Sequence, residues 1–109
     1  MNVSLYVWQR GTAAVMAPMV AAHIAVIFCA TRHGMAAADI LACTRGNVGW
    51  AAFYALFVVA ASIHAAIGLR NVLAEWSPLD DRGAGIAASV LGFALFALGL
   101  RAVAAVTLP

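Results

Sequence analysis

Imidazole is the commonest side-chain metal ligand, and guanidinium is the cation best shaped to meet a carboxylate. Both occur in Ser62 to Trp76, which reads S-I-H-A-A-I-G-L-R-N-V-L-A-E-W. If this stretch is helical, at about 100° per residue, then Phe57, His64, Gly68, Asn71 and Glu75 share one stripe. Ala60, Ala61 and Gly68 surround His64 with small side chains. Arg70 follows six residues after His64, about 9 Å along a helix axis. An imidazole beside a groove of small residues, with a cation toward the water, suits a flat anionic macrocycle. The imidazole ligates iron, the glycine leaves room for the ring edge, and the arginine meets a propionate. The competing reading is a packing histidine bonded to a neighbouring carbonyl or serine, with Gly68 serving close helix contact.

Three further groups bear on chemistry. His23, in P-M-V-A-A-H-I-A-V-I, lies on a helical stripe with Thr12, Met16, Met19 and Ile27. Ionisable groups inside a bilayer are functional by default, so ligand and interhelical hydrogen-bonder both stand. Gln9-Arg10-Gly11-Thr12 places a guanidinium donor just before an apolar run, where a plain interfacial arginine is the alternative. Cys29 and Cys43 form no C-x-x-C, so neither an iron–sulfur cluster nor a zinc site is encoded. A Cys29–Cys43 disulfide would need an oxidising compartment; free thiols are equally at home in apolar helices.

The elements that must position these residues are set by composition. Of 109 residues, 66% are hydrophobic and 9% charged, with a mean hydropathy of +1.01. Soluble domains carry about 25% charged residues, so a water-facing fold is excluded. The net charge of +2 is too weak for nucleic acid. Three intervals lack Asp, Glu, Lys and Arg: Gly11–Thr31 (21 residues), Gly46–Leu69 (24) and Gly83–Leu100 (18). Each suffices to cross hydrocarbon as a helix. Arg101 near a helix end can snorkel, so the third span continues past it. The expected fold is all-α, one transmembrane domain with spans at about 11–31, 47–73 and 83–107.

Tyr6, Trp8 and Arg10 form an aromatic-plus-cation interface group ahead of the first span. That span's length, with Pro18 and His23 inside it, favours an anchor over a cleaved leader. A short interfacial helix is expected over 35–42, with His33 and Asp39 at the surface. Pro78 stops the second helix, Trp76 marks the interface, and Asp80 and Asp81 are expected as solvated loop charges.

The order H-x-x-x-G-x-R, then Glu75 eleven residues after His64, resembles the second transmembrane helix of the cytochrome b membrane anchors of succinate:quinone oxidoreductases, the succinate dehydrogenase and fumarate reductase family. The resemblance implies that His64 ligates haem b, with Gly68, Arg70 and Asn71 around the ring. It also implies that Arg10 and Thr12 border a quinone site. Trp76 stands where one anchor type has a quinone-bonded tyrosine, and an indole donates but does not accept as a phenol does. His23 fits the helix-one ligand of two-haem members.

Further implications concern the assembly. Flavin (FAD) and iron–sulfur clusters belong to partner subunits, the flavoprotein and the iron–sulfur protein. The chain lies in a bacterial inner membrane with its N-terminus cytoplasmic. The arginines divide three against three between the two sides, so charge alone does not set the orientation. With Arg10 and Arg70 at one interface, His23 lies about 20 Å deep and His64 about 9 Å. One bis-histidine site does not tolerate that mismatch. A second copy, or a similar anchor chain, would then complete a helical bundle holding one or two haems.

A different class remains open: a small non-redox homo-oligomeric membrane protein, either transporter or assembly factor. The spans carry no acid, which disfavours a proton-coupled exchanger.

Overall fold

Three long helices contain the charge-free runs in the structure, a computed structural model that describes residues 3–32, 34, 36, 38, 41 and 45–108. Helix α1 covers Val3–Arg32, α2 covers Val48–Trp76 and α3 covers Asp81–Thr107. Helix α1 starts well before the expected span, because the interfacial segment with Tyr6 and Trp8 is itself helical. The expected helix over 35–42, the positions of His33 and Asp39, and a Cys29–Cys43 pairing fall on or depend on residues outside those described.

Side chains set the helix ends. Asn47 caps α2 by accepting from Trp50 N at 3.2 Å. Ser77 closes α2: its backbone is extended before Pro78, and its hydroxyl donates to Leu73 O at 2.6 Å. Asp80 is a correction to the expectation of a loop charge. Its carboxylate accepts from Gly83 N at 2.7 Å as the N-cap of α3, and Asp81 occupies that helix's first turn, where negative charge suits the dipole. At the far end, Gly46 adopts φ +75° and its N–H donates to Thr107 O at 2.6 Å, tying the first connection to the end of α3.

The bundle measures 48 × 23 × 22 Å, with α2 packed against both neighbours and α1 scarcely touching α3. What is buried is small. Ala84 is 0% and Ala88 3% exposed, while Phe93 is 75% exposed. Large apolar side chains face outward along all three helices. This is the reverse of a soluble core and suits helices that associate by close backbone approach in lipid. Helices α2 and α3 are long and apolar enough to cross a membrane. Buried hydroxyls turn back on their own helix, Ser62 onto Val58 O at 2.7 Å and Thr107 onto Val103 O at 2.6 Å, so neither is left unpaired.

Glycines spaced seven apart build the α2–α3 seam. A Cβ at Gly92 would stand 3.0 Å from the Ala66 Cβ, and one at Gly99 would stand 2.5 Å from Val58 Cγ1. Val58 is β-branched and has little rotamer freedom in a helix, so it cannot yield. Gly99→Ala is therefore expected to destabilise the bundle by about 1–3 kcal/mol. Gly11 has nothing within 4 Å of such a methyl, and Gly11→Ala should leave stability unchanged or raised. Thermal unfolding of the two variants in detergent checks the contrast.

Candidate functional site

The stripe Phe57, His64, Gly68 on α2 is the face that meets α1. Against it run His23, Thr12 and Gln9 in descending order, as antiparallel packing requires. On α1 the matching face carries Thr12 (7% exposed), Met16, Met19 and His23 toward α2. Ile27 from the same predicted stripe is exposed. Fifteen residues at about 100° each drift roughly 60° off a straight stripe, which turns Ile27 away.

His64 is half-buried, and its Nδ1 lies 3.2 Å from Thr12 Oγ1. That same hydroxyl stands 2.8 Å from Trp8 O and 3.1 Å from Gln9 O. One turn along α2, a Cβ at Gly68 would come 3.4 Å from Gln9 Nε2, so the glycine lets α1 approach here. Gln9 Oε1 is buried without a hydrogen-bond partner. Sequence reasoning passed over Gln9; the available signal was its position three residues before Thr12, on the same helix face.

The predicted Arg10–Thr12 pair does not form one site within the chain. Residues two apart on a helix point to nearly opposite sides. Thr12 faces His64, whereas Arg10 is exposed and lies over the Tyr6 ring, 5.7 Å from its centroid. Arg70 does not accompany His64 either. It is half-buried in a cavity with Leu5, Ile67, Asp81, Arg82 and Gly85, toward the start of α3. Six residues turn it about 120° from the histidine. Asn71 is half-buried on α2; Glu75 and Trp76 are exposed at its end, Trp76 by 84%. Arg10, Arg70 and Trp76 thus share one end of the bundle without converging.

His23 sits in an aromatic setting nearer the other end. Its ring meets Tyr54 edge-on at 5.8 Å and Phe57 at 6.4 Å, and Trp50 stacks on Tyr54 at 5.6 Å. Its Nδ1 is buried without a hydrogen-bond partner. A cavity of about 320 Å³ lies beside it, lined by Tyr54, Phe57, Val58, Gly99 and Val103 among others.

The residues facing His23 precede His64 by seven and ten positions. The two imidazoles are therefore separated by about 10–15 Å along α2. Ligands on opposite sides of one metal stand about 4 Å apart, given metal–imidazole bonds of roughly 2 Å. The described residues contain no group of three His, Cys, Asp or Glu able to hold a metal. The two imidazoles differ in setting: His64 has a hydroxyl 3.2 Å from its Nδ1, and the Nδ1 of His23 has no hydrogen-bond partner. Together they do not make one site.

Residues 1–101 match the family model of the succinate dehydrogenase/fumarate reductase transmembrane subunit. No curated protein and no solved structure matches the chain.

Proposed function

We infer its role from one premise: the chain belongs to the succinate dehydrogenase/fumarate reductase transmembrane-subunit family. It is the haem b-binding membrane anchor of such a complex. It docks the flavoprotein and iron–sulfur subunits, which hold FAD and the clusters, and links them to membrane quinone. The chain itself does no chemistry on succinate. Three spans cross a bacterial inner membrane, with the N-terminus and the end bearing Arg10, Arg70 and Trp76 on the cytoplasmic side. Helix lengths of 30, 29 and 27 residues are sufficient for three spans, while the membrane and the orientation rest on the family reading.

The observation that carries the reading is His64, held against Thr12 at the α1–α2 seam of a chain matched to this family along most of its length. When bound, haem b supplies one-electron transfer between the iron–sulfur subunit and quinone. His64 would offer a ring nitrogen to the iron, and Gly68, one turn on, adds no side chain of its own beside it, with Gln9 of α1 lying against that glycine. Arg70, at the same end of α2 though turned toward α3, would be the donor to a propionate, with Asn71 beside it in sequence as a neutral donor. Arg10 donates to a quinone carbonyl from the outer face of α1, and Trp76 offers its indole N–H at the same end. A second copy or a similar anchor chain would supply the further ligands that this chain lacks.

The test is purification of the complex through this chain. A reduced-haem band in the visible and co-purifying flavoprotein and iron–sulfur subunits are expected. A colourless preparation lacking those subunits overturns the reading in favour of a non-redox homo-oligomer.

Stoichiometry follows from the separation of the two histidines. Haem quantified per assembled complex is expected to show two sites. His23→Ala should remove one and His64→Ala the other. A single haem, insensitive to His23, would leave that residue a packing histidine against Tyr54.

A further inference from the structure

We propose that Thr12 is a positioning residue for His64: its hydroxyl oxygen accepts from Nδ1–H and thereby presents Nε2 as the ligating nitrogen. Thr12 was expected at a quinone site beside Arg10, and in the structure it is buried at the α1–α2 seam against His64. Counting protons assigns the roles. A threonine hydroxyl has one proton and two acceptor lone pairs. Two carbonyl oxygens, Trp8 O at 2.8 Å and Gln9 O at 3.1 Å, stand closer to Oγ1 than the ring nitrogen at 3.2 Å does. Carbonyls can only accept, so the hydroxyl proton goes to the helix backbone. The remaining contact is favourable only if Nδ1 carries the hydrogen and donates it.

A neutral imidazole has a single N–H, so protonation at Nδ1 leaves the lone pair on Nε2. Metal-bound imidazoles are generally held this way, by an acceptor on the other nitrogen that fixes the tautomer and raises ligand basicity. Here the acceptor comes from α1 and the ligand from α2, fifty-two residues away. The ring orientation therefore depends on the register of two helices. The proposal rests on the haem reading for its consequence, though not for the tautomer itself.

Thr12→Val removes the acceptor and keeps a branched side chain, while Thr12→Ser restores the oxygen. In the assembled complex, Thr12→Val is expected to weaken haem retention against a haem-scavenging protein by about 10–100-fold. The midpoint potential should rise, because a less basic ligand stabilises ferric iron less. The rise is about 59 mV for each tenfold difference between ferric and ferrous affinities. Thr12→Ser should lie near the parent in both. An unchanged potential and retention in Thr12→Val overturns the proposal, and so does equal damage by Ser and Val, which would show that the seam tolerates no change of shape at this position whether or not the oxygen is kept.

A second measurement separates this failure from that of the haem reading. Nitrogen-15 spectra of the full chain in detergent, without haem, should show His64 protonated at Nδ1 and a shift toward Nε2–H in Thr12→Val. That result supports the contact even if the purified complex holds no haem. Nε2–H in the parent overturns the proposal even if it does.

Discussion

Replacing His64 with Ala is expected to abolish the low-spin spectrum of one haem while the chain still inserts and assembles. On the proposed reading a ligating nitrogen is lost, and the described residues contain no group of three His, Cys, Asp or Glu that could hold a metal instead. Losing only an outer partner of a ligating imidazole costs 10–100-fold in affinity, so losing the imidazole itself should exceed about 100-fold. The structural cost is modest. His64 is half-buried, and its Thr12 partner keeps its bonds to the backbone of α1. Assembly should therefore be largely preserved, which makes the spectrum per assembled complex interpretable. An unchanged low-spin signal at normal occupancy would remove His64 from the ligand set. The Thr12 contact would then be read as ordinary interhelical packing.

Replacing Arg10 with Leu is expected to lower quinone-dependent turnover by about 10–100-fold, the equivalent of one charge-assisted hydrogen bond worth about 1.5–3 kcal/mol. Electron transfer from succinate to a soluble dye should change little, because that route ends before the anchor. Arg10 is exposed over Tyr6 and away from the α1–α2 seam, so its removal opens no cavity between helices. Arg10→Lys keeps the charge without the planar fork and should fall between the two. Equal loss in both assays would show instead that Arg10 serves assembly or topology. Its position on the face opposite Thr12 means that the remaining walls of a quinone site come from other residues at that end or from another chain.

Much of this arrangement is legible in the linear chain. Intervals free of charge announce helices long enough to span a membrane, because a single charged side chain at mid-bilayer is costly. The stripe of Phe57, His64 and Gly68 follows from 3.6 residues per turn, a local property that no neighbour need supply. Pro78 ends α2 as expected, and the structure adds Ser77 and Asp80 as the groups that close one helix and open the next.

Other features are decided only when helices meet. Arg10 and Thr12 look paired in sequence, yet a helix sends them to nearly opposite sides, and packing then selects Thr12 for the seam. That Thr12 meets His64, that Gln9 covers Gly68 and that His23 meets Tyr54 are facts of register between α1 and α2. The same holds for the approach of Gly99 to Val58 between α2 and α3. What the sequence determines by itself is the set of helices and the face on which each reactive residue lies, since both follow from backbone periodicity and the cost of burying charge. Which faces touch, and at what height, is decided by tertiary structure, because register is set by the volumes of side chains interlocking across a seam between residues tens of positions apart.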